Sequence, residues 1–168
     1  MTTEVLKSKA RVETVETGLD QGTRQRLADG VAALVADTYA LLIKTHGYHW
    51  NVVGPLFYSL HKLTEEQYTD LFEAVDDLAE RVRALGFPAP GSFAQMAQMS
   101  VVEENQGVPA AEDMIKDLIR DNEAVVRRMR EIAVIADELE DTVTNDLLTE
   151  RMGEHEKAIW MLKAMVTG

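Results

Sequence analysis

The feature that most constrains this chain is an apolar periodicity of three and four residues that begins near Gln21 and recurs in four long segments. In the first, Leu27, Val31, Leu34, Thr38, Leu41 and Thr45 follow 4-3-4-3-4 spacing, with Val35 and Leu42 beside them, which predicts a helix to about Trp50. The run NVVGP, Asn51–Pro55, interrupts it, because glycine and proline punctuate helices. A second helix is expected from about Leu56 to Leu85, striped by Leu71, Val75, Leu78, Val82 and Leu85, and closed by Gly86 and Pro88. A third is expected over about Ala110–Leu139, with Ile115, Leu118, Val125, Met129, Ile132 and Leu139 on one face. The fourth runs from about Thr144 to Val166 through Leu148, Met152, His155, Ile159, Leu162 and Val166. Helices apolar on one stripe must bury it against each other, so the fold class is all-α, a four-helix bundle. No alternating strand pattern competes. The stretch between helices 2 and 3 is long for a bundle connection and holds three of the four prolines. Its apolar patch at Phe93–Met99 predicts a crossover that carries a short extra helix.

The 168 residues suit one domain, read as a mobile N-terminal tail over 1–20 and the bundle over 21–168. A net charge of −12 argues against the chain as a whole being an electrostatic partner of nucleic acid. It would draw cations towards any acidic cavity or pore. The chain has no cysteine, which excludes disulfides and thiolate metal sites. The N-terminus lacks the apolar core of a secretory signal, and no apolar run approaches membrane-spanning length. The expected location is therefore the cytoplasm, with no membrane partner.

Three of the four histidines fall between positions 46 and 61. With soft ligands absent, a metal site here combines imidazole and carboxylate, which suits iron, manganese or zinc. His49 ends the first helix and His61 begins the second, so an antiparallel pair brings both to one end of the bundle. Glu65 lies one turn beyond His61 on the same face, and Asp76 and Glu80 form a second pair at i, i+4. From His61 to Asp76 the net rotation is only about 60°, but the rise is roughly 22 Å. One metal cannot touch both within a single straight helix. A two-fold antiparallel pairing of second helices would set Asp76 and Glu80 of one subunit against His49 and His61 of the other.

The run HW-x10-H-x3-E-x10-D-x3-E, which comprises His49, Trp50, His61, Glu65, Asp76 and Glu80 and is followed by Arg81 and LG-x-P, resembles the signature of the Dps family of mini-ferritins. The similarity extends over about residues 25–168, through the VTND segment of the last helix. The resemblance implies a ferritin-like bundle, a homo-dodecamer, and ferroxidase sites holding two irons at the two-fold interfaces. It implies hydrogen peroxide as the preferred oxidant and ferric oxide stored in the hollow interior. Zinc or manganese could substitute for iron. Glu65 departs from the aspartate of many members but keeps an oxygen ligand, here assigned to a second, looser iron. Trp50 is expected to pack over the site or to donate electrons, and His46 to support it or face solvent. In the family the acidic turn before the last helix lines pores on a three-fold axis, so Asp137, Asp141 and Asp146 are expected on the path by which iron enters.

An ordinary ferritin centre needs Glu-x-x-His on core helices. The residues three before each histidine are Ile43, His46, Tyr58 and Met152, so that centre is not expected. His155, on an apolar stripe, reads as a packed or hydrogen-bonded histidine. The second function class is DNA binding, which in some family members uses basic tails. Here Lys7, Lys9 and Arg11 stand among acids, so DNA is a possible partner but not the favoured one.

Overall fold

A computed structural model describes residues 8–104 and 107–166. Five helices follow one another in these residues: α1 (Gln21–Asn51), α2 (Phe57–Ala84), α3 (Phe93–Met99), α4 (Ala111–Glu138) and α5 (Thr142–Val166). The four long ones form the bundle, and α3 rides on the crossover, as the sequence predicts. α1 packs mainly on α2, and α4 mainly on α5. These hairpins close on each other around two apolar clusters. Leu27, Val31, Leu34, Leu78, Val82, Met129 and Leu148 fill one, and Leu41, Leu60, Leu63, Ile115, Leu118 and Leu162 the other. Burying each such side chain contributes about 1.5–3 kcal/mol.

The helix ends follow their local chemistry. Asp20 caps α1, its carboxylate accepting from the Thr23 amide at 3.0 Å. α2 stops in a reversed turn: the Gly86 amide donates to Arg83 O at 2.9 Å and the Phe87 amide to Val82 O at 3.2 Å. Gly86 sits at φ 94°, and an added Cβ would lie 2.7 Å from both Glu13 O and an Arg24 nitrogen. No other residue fits there. Glu13 is docked at this point, its amide donating to Gly86 O at 2.8 Å and its carboxylate pairing with Arg83 at 2.7 Å. The N-terminal segment is thus tied to the bundle at Glu13, while residues 1–7 of the expected tail lie outside the described residues. The crossover is also fastened. Buried Asp37 accepts from the Val101 amide at 2.7 Å and pairs with Arg128, which donates to Met99 O at 2.8 Å.

Candidate metal centre

The link between α1 and α2 places the predicted histidines face to face. His49 lies in the last turn of α1, where backbone carbonyls have no amide further along the helix to accept from. His61 Nδ1 takes that role, 2.9 Å from His49 O, and His49 Nδ1 lies 2.8 Å from His61 O. A carbonyl only accepts, so each Nδ1 carries its proton and each Nε2 keeps a bare lone pair. The two rings stack with centroids 3.8 Å apart and 18° between planes. His49 is buried and His61 half-buried. Second-partner fixation of this kind is how proteins orient metal-binding imidazoles.

Further rings surround the pair. Tyr68 sets its edge 5.1 Å from His49 and stacks on His46 at 4.2 Å. Trp50 lies 4.1 Å from His46 and is 65% exposed, so within one chain it covers His46 rather than His49. Phe57 stacks 5.1 Å from His61. Tyr68 had a sequence signal: it falls seven residues after His61, two turns along the same helix face. Glu65 is held by Lys62 at 2.6 Å. That hydrogen bond, with the charge of Lys62, keeps its carboxyl below the ordinary glutamate range. Glu65 is therefore an anion at neutral pH.

Asp76 and Glu80 are exposed on the far half of α2, which runs unbroken from Phe57 to Ala84. Along this unbroken helix His61 and Asp76 are separated by a rise of about 22 Å. Among the described residues of one chain, no three His, Asp or Glu side chains come together to hold a metal ion. The structure brings His49, His61 and Glu65 to one end of α2 and leaves Asp76 and Glu80 at the other.

One expected residue is corrected. Asp141 is 4% exposed and does not present its carboxylate to a pore. It caps α5 by accepting from the Thr144 amide at 3.2 Å, and it takes two bonds from Arg81 at 2.8 and 2.7 Å. Burial acts to raise its pKa, but the bonds from Thr144 and Arg81 outweigh it and hold the carboxyl below the usual range. The cause is local: a carboxylate just before a helix is drawn to the helix amides. Asp137 and Asp146 are exposed.

The ferritin-like domain family matches residues 29–168. A DNA protection during starvation protein of Bacillus anthracis is 34% identical over 132 residues, covering 79% of this chain and 90% of that one. The chain is a member of the Dps branch of the ferritin-like family. A low-temperature-induced protein of Nostoc is 42% identical over 156 residues, 92% of this Dps chain and 87% of its own. The crystal structure of a Dps protein from Vibrio cholerae superposes with a TM-score of 0.87 at 30% identity, over 96% of this chain and 99% of that one. That protein is described as belonging to a broad superfamily of ferritin-like diiron-carboxylate proteins. The fold of this chain is thus that of the Dps proteins.

Proposed function

We propose that this chain is the subunit of a hollow shell that oxidises Fe(II) with hydrogen peroxide and retains the ferric product inside. The observation that carries the reading is the reciprocal clasp of His49 and His61, which leaves two bare Nε2 lone pairs side by side. Fe(II) is the substrate. His49 and His61 supply neutral nitrogen, and Asp76 and Glu80 of the partner subunit supply two negative charges. Such a ligand set favours Fe(III) over Fe(II), because two carboxylates stabilise the higher charge more. Glu65, already ionised, holds a second iron once Lys62 yields.

The electrons balance over the pair. Each iron gives up one electron, and both go to one peroxide, whose O–O bond breaks as two protons arrive to give two waters. Paired oxidation therefore releases no hydroxyl radical. Exposed Asp137 and Asp146 draw Fe(II) inward at the three-fold corners of a twelve-subunit shell in the cytoplasm. DNA protection follows from removing iron and peroxide. Direct contact with DNA is not favoured by a net charge of −12 per subunit.

The test is Fe(II) addition to metal-free protein with and without peroxide, followed by ferric absorbance and by calorimetric stoichiometry. Peroxide should accelerate oxidation, and a His49→Ala, His61→Ala protein should lose most of it. Full-rate oxidation by that double variant would refute the assignment.

A further inference from the structure

The middle of α2 carries a large apolar side chain that the bundle leaves uncovered. Phe72 is 69% exposed. At about 100° per residue it stands about 20° from His61 and Glu65 around the helix, and about 40° from Asp76. It therefore lies on the outward stripe that joins the two half-sites, between them in height. Tyr68, one turn earlier on this stripe, is half-buried and reaches the histidines. Its ring stacks on His46 at 4.2 Å and sets its edge 5.1 Å from His49. Tyr68 thus connects the middle of the stripe to a proposed metal ligand.

What covers Phe72 follows from the register of a shared centre. Setting Asp76 and Glu80 of one copy against His61 of the other places the two-fold axis beside Thr69 and Asp70, midway along that span. Rotation about this axis brings Phe72 to the height of Tyr68 of the partner subunit, within about 1.5 Å. It does so twice, once on each side of the axis. The charges agree with this pairing. Lys62 and Glu80, both exposed, are about five whole turns apart and so occupy one flank of α2. The rotation carries Lys62 to within about 5 Å in height of Glu80 of the partner subunit, where opposite charges meet.

We propose that Phe72 is a positioning residue supplied in trans: it packs on Tyr68 of the partner subunit and holds that ring against the partner's His49. This rests on the reading of a centre shared between subunits, and adds a brace to the ligands already assigned. Phe72 itself touches neither iron nor oxidant. Two rings that are open to water in one chain cover each other in the pair, which releases water from both. Tyr68 then has less freedom to turn outward, and the imidazole it abuts keeps the orientation set by the His61 carbonyl. Phe72 acts by shape and area, so leucine replaces much of it.

The test reassembles two inactive subunits one to one, the first carrying Asp76→Ala with Glu80→Ala and the second His49→Ala with His61→Ala. Each mixed dimer keeps one centre, built from the histidines and Tyr68 of the first and the acids and Phe72 of the second. Phe72→Ala in the second should therefore lower the rate of ferrous oxidation about tenfold, and Phe72→Leu there should restore most of it. Phe72→Ala in the first, beside the inactive centre, should have only a small effect. Equal loss in both arrangements, or loss in neither, would overturn the proposal. No activity in mixed shells that keep Phe72 in both subunits would instead remove the shared centre on which it rests. The chain has no cysteine, so Phe72→Cys places a single thiol on each subunit. A bis-maleimide should join these thiols into covalent dimers within the assembled protein. Absence of such dimers would overturn the proposal without reference to activity.

Discussion

The side chains of His49, His61 and Glu65 are each held by one hydrogen bond. His49 and His61 each occupy the other's carbonyl, so removing either ring leaves the other residue's carbonyl without its partner and strips the stacking contact, while the remaining Nδ1 keeps its own bond. The chain's two neighbouring acids near α5 behave oppositely. Asp141 holds Arg81 and caps a helix, whereas Asp146 is exposed. Asp141→Ala should lose about 3 kcal/mol, the cost of leaving half-buried Arg81 unpaired and α5 uncapped, read as a fall in the urea midpoint. Asp146→Asn should leave that midpoint within about 0.5 kcal/mol of the parent and slow iron uptake instead. Both acids look alike in the sequence, because pairing with Arg81 sixty residues away leaves no local pattern. Lys62, three residues before Glu65, is silent in the sequence for a different reason: an exposed lysine carries no signal until its partner is known.

Helices and their ends were the most readable level. The apolar stripes place the four long helices within a residue or two of their observed limits, and Phe93–Met99 forms the expected short helix. What the stripes could not show is how the crossover and the N-terminal segment are pinned, since Asp37 and Glu13 act through distant partners. The two helix stops offer a matched pair. α4 ends in the same reversed turn as α2, with the Glu140 amide on Asp137 O at 3.0 Å and the Asp141 amide on Ala136 O at 2.8 Å. Yet Glu140 occupies φ 58°, where glycine costs less. Glu140→Gly should raise stability by about 0.5–1 kcal/mol, while Gly86→Ala should lower it by about 1–3 kcal/mol and free the Glu13 segment to proteolysis. Chemical denaturation and limited digestion would check both.

At the scale of the whole molecule, the polar layer inside the bundle makes stability depend on pH. His155 is pushed down to about 4 in the folded protein against an ordinary 6.5. Between those values the unfolded chain binds the proton and the folded one does not, so stability falls as pH drops from 6.5 to 4 and this contribution then levels off. The loss is about 3 kcal/mol for the metal-free protein. Below that window Asp70 and Asp141, whose pKa values are depressed, lose their ion pairs and stability falls further. Urea unfolding of metal-free protein at fixed concentration should show the slope, and His155→Leu should flatten its upper part.

The length of α2 alone separates Asp76 from His61 by about 22 Å, so a working centre needs a neighbour. The most direct measurement mixes two inactive subunits, His49→Ala with His61→Ala and Asp76→Ala with Glu80→Ala, unfolds them and reassembles them together. Each alone should oxidise iron poorly. Random pairing restores one of the two sites in every mixed dimer, so a one-to-one mixture should recover about a quarter of the parent's rate. No recovery in properly assembled mixed shells would contradict a site shared between subunits.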